Sequence, residues 1–213
     1  MTMLIRISIP LLLTTLTCSI FLYNLFFISL AVANEKSYNK SIAKLTGKLK
    51  PNLREVIKVL KKRTKGFSRL ELTKAANAII RYSKENDHDP FLLMAVIDIE
   101  SNFRRCVVSD KGAVGLMQIR PFVARGLARE LDIHPDIAAN ELQDMETNLR
   151  IGSYYLAKMK KRFGNLSLAL EAYNLGPTRL NMFIRDGVKL KRNYTKRVLR
   201  SKKRILMIAR NQA

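Results

Sequence analysis

The apolar positions of this chain fall into two kinds of pattern. The first is unbroken: from Ile7 to Ala33 no charged residue occurs. The second is periodic. Leu53, Val56, Ile57 and Leu60 recur on one helical face, and Leu72, Ala75, Ala76, Ile79 and Ile80 do the same further on. Leu142, Met145, Leu149, Gly152, Tyr155, Leu156 and Met159 mark a long helix within 140–163, and Val198, Leu199, Ile205, Leu206 and Ile208 interleave with basic residues near the end. Apolar residues three and four apart share one side of an α-helix, so these stripes predict helices that bury one face. Phe91 to Ile99 differs, because it is apolar nearly all the way round and predicts a helix buried on every side. No stretch alternates convincingly as a strand does. The pattern therefore predicts an all-α fold.

Local punctuation places the helix ends. Ser68 with Glu71 three residues later makes a capping box for a helix over 68–86. Asp89 and Pro90 are an N-cap and a first helical residue for the buried helix. Pro121 opens a helix running to Leu131, and His134-Pro135 is a surface turn. Gly164-Asn165 ends the long helix, and a further one over 166–175 stops at Gly176-Pro177.

The unbroken run at 1–33 has the length and the Ala31-Val32-Ala33 ending of a secretory signal peptide, and it is also long enough to serve as an uncleaved signal anchor. Either reading puts the remainder outside the cytoplasm, in the periplasm. Residues 34–66 form a basic N-terminal segment, either contacting a wall or membrane surface or packing against the domain. Residues 67–213 form the principal domain, with a basic helix at its end.

Charge narrows the partners. With 39 Lys and Arg against 17 Asp and Glu in 213 residues, the formal net charge is +22. Removal of 1–33 takes away only Arg6, leaving +21. That balance suits an anionic partner such as a nucleic acid, a membrane surface or an acidic cell wall. The export signal and the lack of a nucleic-acid-binding motif exclude nucleic acid. The basic C-terminal helix, which has no acidic residue after Asp186, is either a solvated face or a contact for an anionic membrane, the wall or a partner protein. Two cysteines, Cys18 and Cys106, and two separated histidines, His88 and His134, are too few and too scattered for a zinc site. No nucleophile-elbow pattern accompanies either histidine. No cofactor is implied.

The residue that stands out is Glu100, a carboxylate near the end of the buried helix. Burial disfavours the charged form and raises the pKa, as a general acid working near neutral pH requires. An exposed glutamate at a helix end is the ordinary alternative. Asp98, two positions earlier, points to a different face and is no partner for it. Asp110 and Glu171 remain as second carboxylates, with no spacing to favour either.

Three short motifs follow in order: Glu100-Ser101, then Gly115-Leu116-Met117-Gln118, then Ala172-Tyr173-Asn174-Leu175-Gly176. Asn148, Gly152 and Tyr155-Leu156 lie between them, and Arg192-Asn193-Tyr194 comes after. Together, over about residues 75–200, they resemble the catalytic domain of the soluble lytic transglycosylases, goose-lysozyme-like enzymes that cut peptidoglycan glycan strands. The resemblance implies a lysozyme-like, mainly helical fold with at most a short irregular β segment, within 104–120. It implies cleavage of the bond between N-acetylmuramic acid and N-acetylglucosamine with formation of 1,6-anhydro ends, in wall turnover or in local wall opening for a secretion apparatus or pilus. It makes Glu100 the single acid and base, and Ser101, Ser109, Gln118, Tyr173, Asn174 and Tyr194 the substrate-binding set. Ser101 would also support the helix end, and Tyr194 would hydrogen-bond near Glu100. Tyr173 and Tyr194 also read as core tyrosines, and Met117 as packing. Two departures stand out: Arg120 replaces an apolar residue common in the family, and 178–190 lacks the glycine-rich stretch that usually follows the Asn-x-Gly turn. A lysozyme-type hydrolase and a non-catalytic peptidoglycan-binding or scaffold protein remain as alternatives.

Overall fold

The computed structural model describes residues 53–137 and 139–210, together with Ser29. The expected signal peptide or anchor at 1–33, with Cys18 and Arg6, lies otherwise outside the described residues, as do Pro51 and Asn52. From residue 53 onward the described chain belongs to one unit spanning 46–213.

Eight α-helices are described: α1 (Leu53–Arg63), α2 (Arg69–Glu85), α3 (Pro90–Ser101), α4 (Pro121–Leu131), α5 (Met145–Phe163), α6 (Leu166–Leu175), α7 (Pro177–Arg185) and α8 (Asn193–Arg210). The predicted caps set their ends. Asp89 accepts from Phe91 N at 2.8 Å, with Pro90 in the first turn of α3. Ser68 accepts from Glu71 N at 3.2 Å, and the Glu71 carboxylate accepts from Ser68 N at 2.7 Å. Such a cap stabilises a helix by about 1 kcal/mol.

α3 is the axis of the core. Leu93, Met94, Ala95, Val96 and Ile97 are all 0% exposed, and each large apolar side chain so buried stabilises by about 1.5–3 kcal/mol. α8 and α2 pack against it, α5 lies between α2 and α6, and α1 bridges α2 and α8.

Three elements differ from the sequence expectation. The long helix over 140–163 is broken into a 3-10 turn, Glu141–Gln143, and α5. Asp144 ends the first and caps the second, accepting from Thr147 N at 2.8 Å, because a short acidic side chain competes with the helix for backbone donors. α6 stops at Gly176 as expected, but a further helix, α7, which the sequence did not announce, starts at Pro177. Proline is compatible with a first helical turn, and burial of Leu180 anchors the helix. Finally, α8 is a core helix. Tyr194, Thr195, Val198, Ser201, Lys202, Ile205 and Ala209 are buried, so its principal apolar face is committed to the core; the exposed side carries its basic residues together with Met207.

α1, at the end of the basic N-terminal segment, packs its apolar stripe into the same core, with Val56 and Val59 at 0% and Leu60 at 2% exposure. The exposed Lys61 and Lys62 occupy the opposite side.

Candidate active site

Glu100 is the penultimate residue of α3 and is half-buried. The helix ends there because Asn102 adopts a left-handed conformation (φ 51°) and closes back on Asp98 O at 3.2 Å. Phe103 follows at φ 60° and is buried beneath the Arg63 guanidinium, 5.8 Å from its ring centre. A left-handed Phe is costly, by about 1–2 kcal/mol. Its burial offsets that cost and fixes the exit of the chain just past Glu100.

Three carboxylates border α3, and α8 supplies a partner to each. Asp89 pairs with the buried Lys202. Asp98 accepts from Ser201 Oγ at 2.5 Å and from Arg204 at 3.1 Å, and it also pairs with Arg63 of α1. Burial by itself would raise the Asp98 pKa, but these hydrogen bonds and the Arg63 charge outweigh it and hold the carboxyl below its ordinary value. Glu100 receives the Tyr194 hydroxyl on Oε1.

The environment of Glu100 is the opposite of that of Asp98. Burial raises its pKa, against the lowering effects of the Tyr194 hydrogen bond and the Arg197 charge. The partial negative charge at the C-terminal end of α3 also disfavours an anion there. Tyr194 and Tyr173 are themselves buried, which pushes both phenols well above their ordinary pKa, and the nearby Glu100 charge pushes them further. Both therefore stay neutral and can donate. Tyr173 donates to Met117 O at 2.8 Å, and its ring meets that of Tyr155 at 5.3 Å between centroids.

The segment Gly115-Leu116-Met117-Gln118 is the turn of a minimal hairpin. Val114 N donates to Ile119 O at 3.0 Å and Ile119 N to Val114 O at 2.9 Å, with bridges joining 108 to 114 and 114 to 119. This is the short irregular β segment expected within 104–120. Asn148, 0% exposed, fastens the turn to α5. Its amide nitrogen donates to Val114 O (2.9 Å) and Leu142 O (2.8 Å), and its oxygen accepts from Met117 N at 2.7 Å. Gly115 is at φ 78°, and a Cβ there would lie 2.4 Å from the Asn148 amide. Gly152 is required for a related reason: a Cβ there would meet Met117 Sδ at 2.5 Å. Met117 is thus packing, held against α5 and beneath Tyr173.

The expected substrate-binding residues separate into groups. Tyr194 and Tyr173 converge on Glu100. Gln118 Nε2 donates to Val107 O (3.0 Å) and Gly115 O (2.9 Å), bracing the hairpin. Ser109 Oγ accepts from Ala113 N at 3.0 Å and closes the loop before the turn. Asn174 is exposed beside Tyr173 at the end of α6. Ser101 is 1% exposed and donates to Ile97 O at 3.1 Å, so its hydroxyl supports the helix end and is not presented to a ligand. Of the two open second carboxylates, Glu171 is 5% exposed and accepts from Thr195 N and Thr195 Oγ1, both at 2.9 Å, capping the first turn of α8. Asp110 is exposed on the loop. A separate hollow of about 430 Å³, lined by residues such as Arg162, Asn181 and Met182, includes none of the expected site residues.

The sequence places Tyr155 in the apolar row of α5 and among the spaced motifs, and Arg197 in the basic stripe of α8, but assigns neither to the site. Tyr155 interrupts the apolar row of α5 with a polar aromatic, and Arg197 lies one helical turn after Tyr194; these were the available signals.

Comparison with known proteins identifies relatives over these elements. Residues 77–195 match the family model described as the transglycosylase SLT domain. Over 105 residues the chain is 35% identical to a soluble lytic murein transglycosylase of Salmonella typhimurium, an overlap of 49% of this chain and 16% of that protein. It is 40% identical over 70 residues to an endo-type membrane-bound lytic murein transglycosylase A of Klebsiella pneumoniae, covering 32% of this chain and 34% of that one. The match thus spans about a sixth of the first relative's length and a third of the second's. Among solved structures, the 70 kDa soluble lytic transglycosylase of Escherichia coli superposes with a TM-score of 0.56 at 27% identity, over 63% of this chain and 24% of that one. With the family model covering more than half of its length, the chain belongs to the transglycosylase SLT domain family.

Proposed function

We propose that this chain is a peptidoglycan lytic transglycosylase in which Glu100 serves as both acid and base. The observation that carries the proposal is the half-buried Glu100 carboxyl at the end of α3, with a raised pKa and a neutral tyrosine donating to it. Cleavage of a glycosidic bond ordinarily takes two carboxyl groups. Here Asp98 is paired with arginines, Glu171 is committed to Thr195 and Asp110 is exposed on the loop, which favours a single-acid route. Glu100 gives its proton to the glycosidic oxygen, and the leaving N-acetylglucosamine departs while the muramyl N-acetyl group assists at C1. The Glu100 carboxylate then takes the proton of the C6 hydroxyl of the same muramyl sugar as that oxygen bonds to C1. The product is a 1,6-anhydro ring, and water is not consumed. One group must give and then take a proton, which suits a pKa lifted toward neutrality.

In this reading the Tyr194 hydroxyl stabilises the carboxylate between the two steps. Gln118 and Ser109 shape the wall of the groove, Tyr173 and Asn174 bound the sugar on the other side, and Ser101 serves the helix end. The names of the relatives, murein transglycosylases described as soluble or membrane-bound, support a glycan-strand substrate and an exported protein. No described helix is long and apolar enough to cross a membrane. Periplasmic export through residues 1–33 as a signal peptide or anchor, and a role in wall turnover or in local wall opening for a secretion apparatus or pilus, complete the proposal.

The test is a digest of purified peptidoglycan by residues 34–213, read by mass spectrometry of the released muropeptides. Products with 1,6-anhydro-muramic acid ends are expected. Reducing ends would make this a lysozyme-type hydrolase, and sedimentation with the wall without any product would make it a binding protein.

A further inference from the structure

We propose that Arg197 and Arg200, on the edge of α8 that borders Glu100, bind carboxylates of the peptide branches carried by the glycan strand. This rests on the reading of peptidoglycan as the substrate and assigns a specificity role within the same site.

The inference begins from the placement of α8. At 100° per residue, the buried face centres on Val198 and Ile205, and the contacts to the end of α3 are made from one flank of it. Tyr194 reaches Glu100, Ser201 and Arg204 reach Asp98. Arg197 falls on that same flank, between the rows of Tyr194 and Arg204, and Arg200 follows one turn later and nearer solvent. Both are exposed.

Two neighbouring cations of α8 are already engaged. Arg204 is paired with Asp98 and Lys202 with Asp89. Arg197 and Arg200 have no hydrogen-bond or ion-pair partner among the described residues, and the sequence has no acidic residue after Asp186 to provide one. The Arg197 charge lowers the pKa of Glu100, against the effect of burial. An exposed guanidinium beside the site with no hydrogen-bond or ion-pair partner among the described residues is suited to an external anion. The muramyl sugar whose bond faces Glu100 bears the peptide branch on the same ring, so branch carboxylates are carried close to the residues bordering Glu100. A guanidinium matches a carboxylate in a planar, two-point hydrogen bond.

The experiment compares initial rates on peptide-bearing sacculi and on glycan strands stripped of peptides by an amidase. The proteins are the wild type, Arg197→Gln/Arg200→Gln, and the equal-charge control Lys74→Gln/Lys84→Gln on α2, each assayed at the plateau of its own pH profile. The arginine pair should lose about tenfold in kcat/KM on peptide-bearing strands, the size of one good charge-assisted contact, and less than twofold on stripped strands. The control should lose less than twofold on both. Equal loss on both substrates, or no loss on either, overturns the proposal. If wild type releases no product from either substrate, the transglycosylase reading fails by itself. Co-sedimentation of the same proteins with the two substrates then decides the arginine assignment: a selective loss of binding to peptide-bearing strands upholds it, and unchanged binding overturns it.

Discussion

The Tyr194 hydroxyl donates to Glu100 Oε1 across 94 positions of sequence, joining the start of α8 to the end of α3. The bond favours the ionised form of Glu100, while burial favours the neutral one. Replacing Tyr194 by Phe removes only the donor. Glu100 then keeps its proton to higher pH, so the alkaline limb of the pH–rate profile moves upward. The carboxylate left after proton transfer loses its stabilising bond, and kcat falls by about 10- to 100-fold. A pH profile of cleavage by Tyr194→Phe measures both effects; an unmoved limb would remove Tyr194 from the acid's environment.

Glu100→Gln should abolish cleavage and also stabilise the fold. The folded pKa is raised, so the native state binds the Glu100 proton more tightly than the unfolded chain does. Wild-type stability therefore declines as pH rises above the unfolded glutamate value of about 4.3. The neutral Gln does not carry this cost. The variant's Tm should exceed that of wild type at pH 7–8, by about 2–4 °C for each kcal/mol gained, and the gap should close toward pH 4. A gap independent of pH would contradict the raised pKa.

The hairpin turn depends on two residues of α5. Asn148→Ala removes three buried hydrogen bonds at once and should cost about 3 kcal/mol, with loss of activity as the 115–118 turn loosens. Gly152→Ala forces a methyl group against Met117 and should cost about 1–3 kcal/mol through overpacking. Pairing Gly152→Ala with Met117→Ala should restore part of that loss, because the methyl group then meets a smaller neighbour. Thermal unfolding of the single and double variants measures the coupling.

Asp98 joins α1, α3 and α8. Its lowered pKa means that the stability it confers is present above the unfolded aspartate value of about 3.9 and is lost as pH falls through the folded value. Asp98→Asn should therefore be destabilised near neutral pH and converge on wild type in acid. A chain trimmed to residues 67–213 would lose Arg63 together with the buried Val56, Val59 and Leu60. It should unfold at lower denaturant than residues 46–213, and an equal midpoint would show that α1 is dispensable.

Sequence alone determined where most helices begin and end. Ser68 with Glu71, Asp89 with Pro90, Pro121 and Gly164 act on backbone groups within a few residues, and interactions that local can be read in a linear string. It also marked Glu100, because an acid beside an all-apolar helix stands out, and the spaced motifs placed the chain in its family. Only the tertiary structure decided the use of the long-range partners. It gave Asp98 to Arg63, Ser201 and Arg204 and left Glu100 with Tyr194, although both carboxylates belong to one helix. It turned the basic amphipathic stripe of α8 into a core helix with a buried lysine, and it gave Asn148 the support of the Gly115–Gln118 turn. Which flank of α8 meets which turn of α3 depends on how two helices cross, a choice made by the packing of the whole core and encoded at no single position of the chain.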